Sequence, residues 1–214
     1  LLLTILDADA VRANAERQDY RDLAETWSSR ASVDSAGYRL VRAFRMEVRE
    51  RVFNMLMQPV RDHFGSDTRL RISNQFEAPL WTMINDQPDH LLSAEYSTWR
   101  ELLLAAIDEN LRYYRESFAG PLNQRTWGER NTAAVQHPLS RAVPFLARWL
   151  DMPRDMLPGD SNMPRAQGPG FGASERFAVA PGDEAPGQAR AVGVARGLAQ
   201  SVERRAGVID PLVR

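Results

Sequence analysis

Tyr38 to Leu56, YRLVRAFRMEVRERVFNML, is the stretch from which the chain is read. Val41, Phe44, Val48, Val52, Met55 and Leu56 recur mostly at intervals of three and four, the spacing that lines one face of an α-helix. Arg42, Arg45, Glu47, Arg49 and Arg51 fall largely on the other face, and Glu47 with Arg51 makes an i,i+4 ion pair worth about 0.3 kcal/mol. Charges so spaced read as a solvated face rather than a nucleic-acid contact. Ser32-Val33-Asp34-Ser35 ahead of the stretch supplies a capping signal, with Asp34 as the capping residue. Pro59 predicts a kink or an end, and the helix is over by Gly65.

Outward from this helix, Asp7 to Trp27 predicts a surface helix, its apolar stripe thinned to Val11, Ala15, Leu23 and Trp27. A second strong helix starts near Ser97, with Trp99, Leu103, Ala106, Ile107, Leu111, Tyr114 and Phe118 along one side and Gly120-Pro121 as its stop. The two long helices are expected to pack on each other or on a common sheet, since neither can leave its stripe in water. Between them, Pro79 to Asn85 predicts one short buried helical turn around Leu80, Trp81 and Ile84. Thr126 to Val135 is a strand candidate through Thr126, Trp127, Thr132 and Val135. Pro138 to Leu150 has helical spacing interrupted by Pro144, which predicts two short turns.

Leu157 to Gly182, LPGDSNMPRAQGPGFGASERFAVAPG, departs from helical periodicity altogether. Three Pro and four Gly between Pro158 and Gly172 dictate a long loop. Ser174 to Ala180 follows as a strand with Phe177 and Val179 on one face, closed by Pro181-Gly182. The expectation is that Phe171, Phe177 and Val179 are buried against the helix stripes. Beyond Gly182, four glycines between Gly187 and Gly207 break a weak pattern, so this end is expected to be the least packed part of the chain.

The composition excludes several functions. Charge is nearly balanced, 27 basic against 28 acidic residues, which provides no field for nucleic acid or an anionic membrane. All the basic residues are Arg, spread along the chain. Without Cys there is no disulfide, thiolate metal site or thiol nucleophile. Leu1-Leu2-Leu3 has neither an initiator Met nor a basic n-region, so the chain is expected to be a piece of a longer protein. At 214 residues it is read as one domain or part of one.

Few residues suggest chemistry. His63, His90 and His137 have no helical metal spacing among them, and His90 and His137 are read as structural hydrogen-bonding residues. Gly168, Gly170 and Gly172 precede a strand instead of a helix, contrary to a dinucleotide fingerprint. Ser174 lacks the nucleophile-elbow context. Asp108-Glu109 and Asp183-Glu184 are read as solvated charge, since adjacent carboxylates on a helix diverge. Glu175-Arg176 is read as a buried ion pair anchoring the Gly-rich loop.

Gly170-Phe171-Gly172-Ala173-Ser174-Glu175-Arg176, with Leu157-Pro158-Gly159-Asp160 and Met163-Pro164 before it, resembles the C-terminal part of the β chain of the penicillin acylase family, the N-terminal-nucleophile amidohydrolases. Similar segments occur upstream in family order: Arg30-Ala31-Ser32-Val33-Asp34-Ser35-Ala36-Gly37, Thr126-Trp127-Gly128-Glu129-Arg130-Asn131 and Trp149-Leu150-Asp151-Met152-Pro153. The resemblance covers residues 1–185, leaving 186–214 as an atypical, loosely packed tail. Ser28-Ser29 departs from the Asp-Gly expected before Arg30.

The resemblance implies an α+β, helix-rich fold forming part of an αββα sandwich. It implies an enzyme, made as a zymogen and cut internally, that hydrolyses a linear amide such as a β-lactam antibiotic side chain or an N-acyl homoserine lactone. In the family an N-terminal Ser attacks, its own α-amine is the base, and an Asn with a backbone N–H holds the oxyanion. No position here matches the nucleophile, the oxyanion Asn or the calcium ligands, so no catalytic, cofactor-binding or metal residue is assigned. Leu1 has no hydroxyl, and the motif containing Asn131 is not the oxyanion one. The chain is expected to be scaffold, inactive when isolated. Its implied partners are the rest of the β chain, the α chain and a small-molecule amide, with no nucleic acid and no membrane. Calcium in the intact enzyme and a periplasmic or secreted location are further implications. The residues alone, without the resemblance, favour a non-catalytic helical interaction module.

Overall fold

The computed structural model describes residues 1–65, 71–161 and 167–172, which fall into two units, Leu1–Arg130 and a second beginning at Asn131. The first contains α1 (Leu2–Ile5), α2 (Ala8–Ala13), α3 (Glu16–Glu25), α4 (Ala36–Phe64), α5 (Glu77–Asp86), α6 (Trp99–Ser117) and α7 (Trp127–Arg130). Short 3-10 turns lie at Asn74–Phe76, Asp89–Leu91 and Leu122–Gln124.

The core follows the two long amphipathic helices. α4 packs against α3 and α6, and the buried cluster takes Leu40, Phe44, Val48 and Val52 from α4 with Leu102, Leu103, Ala106 and Ile107 from α6. Every apolar residue expected on the inner side of α6 from Trp99 to Tyr114 is buried. The Thr98 hydroxyl starts that helix by accepting the Glu101 N–H at 3.1 Å, and the chain becomes extended at Phe118.

Several expectations need correction. Asp7 to Trp27 is two helices rather than one, because Asn14 is extended and its side-chain oxygen accepts the Glu16 N–H at 3.1 Å, competing with the backbone for the turn. α3 is also not a surface helix: Tyr20 is fully buried and its hydroxyl donates to the Leu40 carbonyl at 2.7 Å. The helix from Ala36 continues through Pro59 to Phe64 and is over by Gly65, at φ 92°, as expected. Ser35, not Asp34, is its cap, the hydroxyl accepting the Tyr38 N–H at 3.0 Å. In α5, Leu80 and Ile84 are buried as expected, whereas Trp81 is exposed.

In the second unit, Pro138 to Leu150 forms α8 (Pro138–Ala142), a 3-10 turn at Pro144–Leu146 and α9 (Ala147–Leu150), so Pro144 divides the segment as expected. Thr126 to Val135 is not a strand. It begins with α7, and Thr132 makes an isolated antiparallel bridge to Met156. Ala133 donates to Asp155 at 2.8 Å, Ala134 to Pro169 at 2.7 Å, and Val135 accepts from Met152 at 3.1 Å. Residues 132–135 thus tie three loops together without a continuous ladder. Among the described residues there is no strand, only this bridge and one between Gly168 and Phe171. Phe171 is exposed rather than buried. The strand at Ser174 to Ala180, Phe177, Val179 and the tail lie outside the described residues.

Candidate functional site

The segments Arg30 to Gly37 and Thr126 to Asn131 meet at the start of α4. α7 is too short to satisfy its own first donors, so Trp127 N–H is given to the Ser35 carbonyl at 2.9 Å and Gly128 N–H to the Val33 carbonyl at 2.7 Å. The rings of Trp27, Tyr38 and Trp127 seal this junction, Tyr38 lying edge-on to Trp127 with centroids 5.0 Å apart. Gly37 has a steric reason: a Cβ there would lie 2.2 Å from the Leu23 carbonyl oxygen and 2.9 Å from Trp27 Cβ. Ser29 turns the chain into the motif at φ 59°, a left-handed conformation that Gly adopts without penalty.

Charge is buried beside the same junction. Glu129 divides its carboxylate between Arg39, through Oε2, and Arg125, whose Nη1 donates to Oε1 at 2.9 Å. Arg39 also donates to the Thr126 carbonyl at 3.2 Å. Both guanidiniums lie against the Phe118 ring, Arg39 at 5.1 Å and Arg125 at 5.3 Å from its centre. The ring faces offset the buried Nε groups of Arg39 and Arg125, neither of which has a hydrogen-bond partner. Burial raises the Tyr114 phenol above its usual range, against the opposing pull of Arg39.

This arrangement positions backbone; it does not activate a nucleophile. An open depression beside the junction is lined by Thr26, Ser28, Ser32, Ser35 and Asn123, with Asp34 as its one titratable group. An exposed aspartate alone is a poor base for a hydroxyl.

A second polar constellation holds the loops of the other unit. Asn131 Nδ2 donates to the Leu157 carbonyl at 2.5 Å and to Gly159 at 3.2 Å, while its carbonyl accepts the Leu157 N–H at 2.8 Å. Asn131 therefore fastens one family-like segment to another.

Ser140, His137 and Asp151 share a residue set with hydrolase triads but not the geometry. The Ser140 hydroxyl faces Asp151 and the His137 carbonyl, and the imidazole Nδ1 accepts the Leu139 N–H at 3.1 Å. A triad needs the serine on the imidazole and the carboxylate behind it. The set is a helix start, and Asp151 is held below the usual carboxylate range first by the Ser140 hydroxyl and then by the His137 backbone N–H.

The other histidines stay apart, His63 against the Phe64 ring at 4.6 Å and His90 in the Asp89–Leu91 turn. Asp108 and Glu109 diverge as expected, but Asp108 is not simply solvated. It takes a two-pronged ion pair from the buried Arg17, at 2.8 and 2.6 Å, while Glu109 pairs with Arg112. Gly168 pairs across a tight turn with Phe171, at 2.9 Å from its N–H to the Phe171 carbonyl. Ser174, Glu175-Arg176 and Asp183-Glu184 lie outside the described residues. The residues missed from sequence are Arg17, Arg39 and Arg125. Their signal was faint: nothing in residue type or spacing sets them apart from the other arginines, which are spread along the chain.

Among the described residues, no three His, Asp or Glu side chains gather so as to hold a metal ion, and no helix is long and apolar enough to cross a membrane. The chain matches no curated protein and no solved structure. The sequence model of the penicillin amidase family does match it, over residues 1–197. That span takes in both segments of the junction and the Asn131 loops, and the chain belongs to the penicillin amidase family.

Proposed function

We propose that this chain is scaffold within an amidohydrolase that cleaves a linear amide through an acyl-enzyme. The observation that carries the reading is the junction of Val33 to Ser35 with Trp127 and Gly128, where two family-like segments are joined by backbone bonds and backed by the Arg39–Glu129–Arg125 ion pairs. Buried charge and a glycine without room for a methyl group suit a part whose task is to keep surrounding backbone in place.

In the intact enzyme an N-terminal Ser hydroxyl attacks the amide carbon while its α-amine takes the proton. The C–N bond then breaks as the amine leaves with that proton, and water releases the acyl group. The substrate class is a β-lactam side chain or an N-acyl homoserine lactone. The partners are the rest of the β chain and the α chain, in a periplasmic or secreted enzyme completed as an αββα sandwich. Calcium belongs to this reading only for the intact enzyme, and no residue described here is assigned to it.

The test is an amidase assay of purified 1–214 beside the intact protein, with a chromogenic phenylacetyl amide and an acyl homoserine lactone. Activity confined to the intact protein is expected. Turnover by 1–214 alone, abolished by one internal point mutation, would overturn the scaffold role.

A non-catalytic interaction module is the second reading. It is favoured by the crowding of eight of the thirteen exposed large apolar residues of the described chain between Leu139 and Phe171. An intact protein without amidase activity, whose own reading frame encodes no Ser at an internal cleavage junction, would decide for it.

A further inference from the structure

His137 uses its ring as a helix cap. Nδ1 accepts the Leu139 backbone N–H at 3.1 Å, in the first turn of α8. Only the neutral imidazole has a ring nitrogen free to accept, since both nitrogens of imidazolium carry protons. Protonation would set an N–H against the Leu139 N–H and place positive charge at the positive end of the helix.

Asp151, at the end of α9, shares this turn with His137, and Arg141, within α8, acts on the same carboxylate. Asp151 Oδ1 accepts the His137 backbone N–H at 2.9 Å and the Ser140 hydroxyl, which leaves Oδ2 to receive an imidazolium N–H. The carboxylate stays ionised where imidazoles titrate, because its hydrogen bonds hold it below its usual range.

We infer that His137 is an acid-released latch: protonation withdraws Nδ1 from the Leu139 N–H, turns the ring toward Asp151 Oδ2, and loosens the first turn of α8. The turn it loosens leads directly into the exposed Phe145 and Trp149, so the latch controls how firmly that aromatic loop is held. The inference does not depend on the amidohydrolase reading.

NMR of the full 214-residue chain tests it, following the His137 ring nitrogens and the Leu139 amide from about pH 8 to about pH 5. The Leu139 amide should shift with the same midpoint as the ring. Tryptic cleavage after Arg141, taken as a ratio to His137→Asn, should rise about fivefold across that midpoint, since Asn caps a helix in either state. A Leu139 amide that does not follow the ring, or a cleavage ratio constant with pH, would overturn the latch. If His137→Asn does not fold, the wild-type amide still decides.

Discussion

Leu1–Arg130 and the described part of the second unit are built on different physics. The first buries Leu40, Val52, Leu102, Leu103 and Ile107 completely, in a cluster of sixteen residues. In the second, the residues buried most deeply include Asn131 and Ser140, both polar, while Phe145, Trp149, Met152 and Met156 face outward. One unit is held by apolar burial between helices. The other is held by backbone bonds and side-chain caps around residues 132–135. The lesson is that apolar content does not locate a core, because the described part of the second unit leaves most of its large apolar side chains on its surface.

The largest effect should separate the units directly. Leu103→Ala should cost about 3 kcal/mol in urea unfolding of the chain, whereas Phe145→Ala should change it by less than about 0.5 kcal/mol. Equal costs would erase the contrast. Gly37→Ala comes next, at about 2 kcal/mol, since the new methyl meets a backbone carbonyl that cannot move alone. A neutral result would mean that α3 and α4 shift apart freely.

Asn131→Ala should remove about 1.5 kcal/mol by deleting the side-chain hydrogen bonds to the Leu157 and Gly159 carbonyls. The loss should appear as faster hydrogen exchange at Ala133 and Leu157 with the α4 amides unchanged. Exchange spreading into α4 would show that the units unfold together.

Alkaline pH probes the first unit alone. Burial raises the Tyr20 phenol well above its ordinary range, so the folded state keeps a proton that the unfolded state releases. Its contribution is intact below the unfolded value near pH 10 and is lost as pH rises beyond it. Thermal melts should therefore fall above about pH 10, less steeply in Tyr20→Phe. Identical slopes would place Tyr20 in contact with water.

The smallest effect has the opposite sign. Ser29→Gly should stabilise the chain by about 0.5 kcal/mol, because the residue already sits at φ 59° and Gly relieves the strain. A loss of stability would mean that the Ser29 side chain makes a compensating contact.

The sequence by itself determined the parts that repeat. Helical spacing placed α4 and α6 and named their buried faces, since a stripe with that period has one stable solution. Pro144 divided the segment after Pro138, Gly65 and Gly120-Pro121 bounded the helices, and the quoted motifs pointed to the family. Tertiary structure alone decided the rest. Thr126 to Val135 has strand composition but folds around a short helix, because its donors find carbonyls at Val33 and Ser35, about ninety residues away in sequence. Arg39 and Arg17 are indistinguishable by type from solvated arginines. They are buried because Glu129 and Asp108 arrive from elsewhere in the chain to pair with them. A hydrophobic period is a local property and can be read along the chain; the partner of a buried charge is set by which distant backbone passes beside it.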